Sequence, residues 1–299
     1  MKEQGAICIA TLKLLKKLIP GAYLRTFVYL NGVAALRKLL RKSILGFYRM
    51  DHVYEVINEF KKHHKGQFSI LEFGVADGYA FAKELYAVRY LKMEERIMVH
   101  GFDTFEGLPP VTTDADYALV KGEEWTKGYY RGRYDNLSDY CHSKYTNFEL
   151  HKGLFEETLS EEFLESLLSR PPILIWIDCD YYCSTKTVFD RLIPYIPTGC
   201  VIYFDDIYFN FSSRFTGEMK AVWEINHGQF GDGIELVPDI SLSCDSNRVY
   251  RFVNTNGKTK YELAQIVEGD PVRRRGEDSP FPCWLIFLIH VARASVEMV

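Results

Sequence analysis

FSILEFGVADG, residues 68–78, is the most informative segment of the chain. Its first half is a short apolar run of strand character, it breaks at Gly74 and Gly78, and a helical segment follows near 79–92. A strand that turns on glycines and opens a helix is the first unit of an open α/β sheet, where ligands bind beyond the carboxyl ends of the strands. Gly74 allows the close turn, Gly78 lets the chain approach a ligand, and Glu72 is placed to accept hydrogen bonds from one. The full G-x-G-x-x-G spacing is absent, which points to a smaller adenosine ligand rather than a dinucleotide.

Outward from this unit the rhythm repeats. IMVHGFD, FELHKG, ILIWIDCD and CVIYFDD are further apolar runs, with helices expected near 160–169, 184–195 and 215–227. Such alternation predicts a mostly parallel sheet covered on both faces. GIELVPD and RVYRFVN have no helix-length segment between them and are expected to close the sheet as an antiparallel hairpin. The predicted fold class is therefore α/β and Rossmann-like, with seven strands, five of them in βα units. Residues 6–64 read as helical, and in LRKLLRKSI the residues Leu36, Leu39, Leu40 and Ile44 share one face while Arg37, Lys38, Arg41 and Lys42 share the other. That basic amphipathic helix is either a packed helix with a solvated face or a contact for an anionic membrane surface or partner. The organisation expected is a basic helical extension over 1–64, a catalytic domain over 65–255, and a polar, partly disordered extension over 256–299.

Composition bounds the rest. The chain has 299 residues, 47% hydrophobic and 25% charged, with a net charge of −4. Residues 1–50 nevertheless carry ten Lys or Arg against the single Glu3, so the start is basic and the body acidic. The seven cysteines follow no repeated spacing, so they read as reduced thiols and not as a disulfide framework or a zinc site. Lys13, Lys16 and Lys17 interrupt any signal-like apolar stretch, and no run approaches the roughly 20 apolar residues of a membrane span. A cytoplasmic protein is expected, with peripheral membrane contact through residues 30–49 and homo-oligomerisation left open and no nucleic-acid partner.

The strand ends carry the chemistry. GFDTFEGLPP places Asp103, with Thr104 and Phe105 beside it, where an acidic residue binds the ribose hydroxyls of an adenosine; the same residue also suits an N-cap or Asx turn. WIDCDYYCST ends the fourth apolar run with Asp178 and Asp180, and VIYFDDIYF ends the fifth with Asp205 and Asp206. If those two strands are neighbours, the four aspartates converge at one sheet edge, and hard oxygen donors without sulfur suit magnesium or calcium. Some of the four also suit helix capping, as do Ser184 and Thr185.

Taken together and in order, LEFGVADG, FDTFEGLPP, HKGLFEETL, WIDCDYYCST and IYFDDI resemble the macrocin O-methyltransferase family. The resemblance spans about residues 68–227, more loosely to 253, and leaves out the basic helices and the tail. Five βα units closed by a hairpin is also the order of a class I methyltransferase. The resemblance implies S-adenosylmethionine as cofactor, a divalent ion, usually magnesium, and a sugar hydroxyl in a glycan or natural product as acceptor. Three positions depart from it: Ala76 and Asp77 stand where members often carry a bulky residue and an arginine, and Ile207 replaces a common tyrosine after the acidic pair.

The general base is left between Asp178 and His227, the latter in WEINHGQFG after the fifth unit. His100 and His151, flanked by strand residues, read as structural. KGEEWTKGYYRGRY (121–134) is an aromatic, basic insertion suited to closing over a sugar, with Arg131 or Arg133 available to a phosphate or acidic glycan. Two rival readings stand beside the methyltransferase. Asp178-Cys179-Asp180 is formally the D-x-D of a metal-dependent glycosyltransferase, which leaves Asp205, Asp206 and the 72–78 turn unexplained. A non-catalytic methyltransferase fold acting as a binding module is the other.

Overall fold

A computed structural model describes residues 51–119, 125–242 and 248–264, all within one compact unit that runs from Arg49 to Gln265. The basic segment at 30–49 and most of the C-terminal extension lie outside the described residues.

Seven strands form one sheet in the order β3-β2-β1-β4-β5-β7-β6. They are β1 (Phe68–Phe73), β2 (Ile97–Asp103), β3 (Phe148–Lys152), β4 (Pro172–Ile177), β5 (Val201–Phe204), β6 (Ile234–Pro238) and β7 (Val249–Asn254). The first five run parallel, and β7 lies antiparallel to both β5 and β6. This is the sheet and closing hairpin expected from the sequence. Strands β1, β4 and β5 are buried at every residue, which is why they read as apolar runs, interrupted in β1 by Ser69 and Glu72. Strand order reverses between β1 and β4, so the crevice beyond those two strands is the place for a ligand.

Helices cover both faces. On one lie α1 (Asp51–His63) and α2 (Tyr79–Tyr90). Val53, Val56, Ile57 and Phe60 recur at helical spacing along α1 and are fully or almost fully buried. The opposite face of the sheet, with Leu71, Phe73, Phe102, Ile175, Ile177, Ile202 and Phe204, packs against α5 (Glu161–Ser166), α6 (Tyr182–Leu192) and α7 (Gly217–Asn226). Between these come α3 (Tyr134–His142) and the single turn α4 (Phe155–Thr158). No helix among the described residues is long and apolar enough to cross a membrane.

Three segments differ from the sequence reading. Helix α3 was not expected, because its buried face is narrow: Leu137 and Cys141 alone are buried in a polar, tyrosine-rich stretch. Helix α1, assigned by sequence to the N-terminal extension, packs on the sheet as part of the compact unit. The polar C-terminal extension, expected to be partly disordered, begins with a segment, 257–264, that packs on the domain. Tyr261 stands edge-on to Phe60 at 4.7 Å and donates to the Pro172 carbonyl, and Leu263 bridges to His64. One aromatic anchor holds a segment whose composition reads as solvated.

Candidate active site

Beyond the β1 carboxyl end the chain turns through Gly74 at φ 92°. Its amide donates to the Phe102 carbonyl, while the Asp178 amide donates to Phe73 at 2.8 Å. The two strand ends are thereby pulled together so closely that a Cβ on Gly74 would fall 1.8 Å from the Asp178 carbonyl oxygen. Ala76, Phe105 and Asp180, one after each of β1, β2 and β4, all take left-handed backbone conformations that non-glycine residues avoid. Strain of this kind collects where a fold holds a site.

Asp103 clamps this loop. Its Oδ2 accepts from the amides of Val75 and Ala76, each at 2.7 Å, and its Oδ1 from Phe105 at 2.6 Å. Both readings of this residue therefore meet in one side chain: it closes an Asx turn and stands at the carboxyl end of β2. A carboxylate has about four lone-pair positions, and three are used, so one remains for a ligand hydroxyl while the loop stays closed. Thr104 accepts from the Glu106 amide, and Phe105 is buried edge-on to Tyr134 at 5.1 Å. A cleft of about 370 Å³ opens here, lined by Thr104, Phe105, Arg131, Arg133, Tyr134 and Lys152. The 131–133 segment lies directly on the glycine turn, since a Cβ on Gly132 would approach the Ala76 carbonyl to 2.2 Å. Asp77, one of the departures noted above, pairs with Arg133 at 3.1 Å in an exposed contact of little weight for stability.

Glu72 stands beneath the turn, fully buried, with Oε2 lacking a partner, and Glu84 of α2 has both carboxylate oxygens buried and unpartnered. Burial first, and then the neighbouring Glu84 charge, hold the Glu72 carboxyl well above its usual range; burial does the same to Glu84. Carboxyls raised in the folded state bind protons more tightly than in the unfolded chain. Their stabilising contribution is complete below the unfolded value and is lost as pH rises through the folded one. Wild type is expected to lose thermal stability from about pH 5 upward, and Glu84→Gln to lose less, read as the change in Tm across pH 5–9. Parallel curves for the two proteins would contradict this.

Asp178, Asp205 and Asp206 meet beyond β4 and β5, each offering an oxygen within 4.8 Å of the others. Neighbouring parallel strands bring them together as expected. Burial first, then Asp205 and Asp206, hold Asp178 well above the usual carboxylate range. Asp180 is not part of that triangle. It hydrogen-bonds to Asp206, and burial followed by the Asp206 charge raises it as well. Tyr203 donates to Asp205 at 2.7 Å, and Trp176 reaches Asp178 at 3.4 Å. Both rings stack with buried His52, whose pKa burial depresses to about 3. That stack fixes the lower edge of the carboxylate group.

Two participants escaped the sequence reading. Glu218, in the first turn of α7 and wholly buried, accepts from the Asp206 amide while its Oε1 has no partner. Arg248, at the start of β7, pairs with Asp205 at 2.9 Å and also donates to its carbonyl oxygen. A carboxylate at a helix N-terminus twelve residues after the acidic pair was a signal for Glu218. Nothing in RVYRFVN marked the arginine. One guanidinium against Asp178, Asp180, Asp205, Asp206 and Glu218 leaves an excess of buried acid, and an all-oxygen donor set of this charge fits a hard divalent cation.

The described part of the insertion, from Trp125 onward, reaches this edge. Trp125 packs on Phe209 at 4.3 Å and lines a cleft of about 300 Å³ together with Asp205, Asp206, Tyr208, Phe211 and Arg248. The chain from Asn210 to Ser212 is left-handed at three successive residues, held by Asn210 bonds to the Leu119 amide and the Tyr117 carbonyl.

His227 is not brought to this group. It is exposed at the C-terminal cap of α7, stacked on Trp223, with Nδ1 2.7 Å from the Trp223 carbonyl. Glu218 lies nine residues earlier on the same helix, roughly 13 Å along the axis. His227→Ala is expected to leave methyl-transfer rates within about twofold of wild type; a loss beyond tenfold in steady-state assays would return it to the reaction.

The chain was compared with known proteins. The model of the family described as macrocin-O-methyltransferase (TylF) matches residues 34–228. No curated protein matches. Among solved structures, a calicheamicin methyltransferase, CalS11, is 22% identical over 83% of this chain and 92% of that one, with a TM-score of 0.48. The O-methyltransferase NovP is 17% identical over 69% and 79%, at 0.47. The mycinamycin-pathway methyltransferase MycE, solved with Mg, SAH and mycinamycin VI, is 16% identical over 74% and 51%, at 0.36.

Proposed function

The chain belongs to the macrocin-O-methyltransferase (TylF) family and is an S-adenosylmethionine-dependent O-methyltransferase, and from that premise we propose that it methylates a sugar hydroxyl, in a glycan or glycosylated small molecule, with the help of a divalent cation such as magnesium. The observation that carries the proposal is the convergence of Asp178, Asp205 and Asp206 beside the Trp125 cleft.

The cofactor brings a methyl group that is already electrophilic, so the chain must hold an acceptor oxygen in line with it and ease the loss of that oxygen's proton. A cation held by the three aspartates would supply a template for two adjacent hydroxyls and a lowered pKa for one of them. Each residue then has a task. Glu72, Gly74, Gly78 and Asp103, with Thr104 and Phe105, shape the cofactor crevice at the β1 and β2 ends. Arg248 offsets part of the charge of Asp205, and the Tyr203 hydroxyl fixes the orientation of that carboxylate. Glu218 holds the Asp206 backbone in place. Asp178, where one of its oxygens stays off the cation, is the residue of the group placed to take up a proton. Trp125 offers a flat face for a sugar ring, and Arg131 and Arg133 stand farther along the edge for a phosphate or acidic group on the acceptor. Asp178 and Asp180, read as a D-x-D motif, leave Asp205, Asp206 and the glycine turn without a task, so glycosyl transfer is not the reading adopted.

The test is methyl transfer to a panel of sugars and nucleotide sugars, followed by mass spectrometry with magnesium and with a chelator. Acceptors with two neighbouring hydroxyls are expected to gain one methyl group only with the metal present. Equal turnover with the chelator, or with acceptors lacking the second hydroxyl, would overturn the chelation mechanism.

A further inference from the structure

We propose that His100, Glu149 and His151 form a second cation site, for a borderline transition metal such as zinc, on the β2–β3 edge of the sheet. The register of these parallel strands sets His100 opposite Glu149 and Phe102 opposite His151, and strand alternation turns His100, Glu149 and His151 to one face. Three donor atoms then form one triangle. His100 Nδ1 lies 3.1 Å from His151 Nε2 and 3.4 Å from Glu149 Oε2, and the latter two atoms are 3.6 Å apart. A tetrahedral zinc with bonds of about 2.0–2.2 Å needs donor separations of about 3.3–3.6 Å, so the triangle is close to one face of that tetrahedron.

The ligands are also held. His151 lies flat on Phe102 at 4.4 Å, and Phe163 stands edge-on to both imidazoles at 5.2 Å. Solvent reaches one side only: the side chains of His100, His151 and Glu149 are 7%, 21% and 55% exposed. An ion has an entry path there and a fourth position open to water. Two nitrogens and one oxygen suit zinc, whereas the three carboxylates at the β4–β5 edge suit magnesium. The chain thus carries two sites that separate two metals by donor chemistry. Because β3 is the edge strand, a metal here would tie it to β2 and leave the reacting edge untouched.

The experiment is calorimetric titration of the tag-free full chain with zinc chloride in excess magnesium, beside Glu149→Gln, His151→Gln and Asp206→Asn. One equivalent of zinc is expected to bind wild type and Asp206→Asn alike, with affinity falling at least tenfold in each of the other two. Cobalt in place of zinc is expected to give the visible absorption of a tetrahedral centre, lost in Glu149→Gln. Glu149 is half exposed, so its variant folds whatever happens to His151→Gln. No zinc binding, binding unchanged in Glu149→Gln, or binding lost in Asp206→Asn would each overturn the proposal.

Discussion

Asp178→Asn is expected to slow methyl transfer by about a hundredfold to a thousandfold while S-adenosylhomocysteine binds within a few-fold of wild type. The carboxylate is partly buried between Asp205 and Asp206, and burial and those two charges disfavour its ionised form when no cation is present. Asparagine keeps the shape and one oxygen but removes the charge, the second donor and the proton acceptor together. A metal's contribution to transition-state stabilisation is several kcal/mol, and each 1.36 kcal/mol is tenfold in rate. The same substitution relieves repulsion when no metal is bound, so the chelator-treated variant is expected to melt higher than chelator-treated wild type. Activity and stability moving in opposite directions distinguishes a ligand from a packing residue. If both fall together, Asp178 is structural and the cation assignment fails.

The second large effect belongs to Gly74→Ala. A methyl group there would meet the backbone carbonyl of Asp178 at 1.8 Å and its carbonyl carbon at 2.6 Å, at a residue already held at φ 92°. Neither partner is a flexible side chain, so β1 and β4 must separate. The loss is expected to be about 3 kcal/mol or more, roughly 6–12 °C in Tm for a domain of this size. The displacement moves the cofactor turn and Asp178 at once, so affinity for S-adenosylhomocysteine and for magnesium is expected to fall together. Gly66→Ala is the control: its φ is 86° but nothing lies within 4 Å of the added carbon, which leaves backbone strain alone. Equal effects at the two glycines would show that strain, and not the close approach of β1 to β4, sets the requirement.

The sheet was legible because strands buried on both faces are predominantly apolar, and β1, β4 and β5 announce themselves in that way despite Ser69 and Glu72. The aspartates were legible because each follows such a run directly. Asp180 was less legible: spacing puts it beside Asp178, but its left-handed backbone joins it to Asp206, outside the triangle formed by Asp178, Asp205 and Asp206. His227 stands apart for a related reason: the helix near 215–227 was legible, but not that its first turn, with Glu218, faces the carboxylates while its last turn carries His227 away. Glu218 and Arg248 depend on burial and on pairing across the chain, which no local pattern records. Tyr261 likewise docks through one ring in a polar stretch. What the sequence hides is how single side chains are spent in tertiary contacts; what it displays is the periodicity that tertiary burial imposes on whole elements.

The central claim is that the crevice at the β1 and β2 ends binds the methyl donor next to a carboxylate-held cation. Isothermal titration with S-adenosylhomocysteine, with and without magnesium, beside Asp103→Ala, tests it most directly. Charged hydrogen bonds contribute about 1.5–3 kcal/mol each, so losing the carboxylate that orders Val75, Ala76 and Phe105 is expected to weaken binding at least tenfold. The account expects micromolar binding to wild type in both conditions and that loss in the variant. No binding to wild type with or without magnesium, or equal binding by Asp103→Ala, would contradict it.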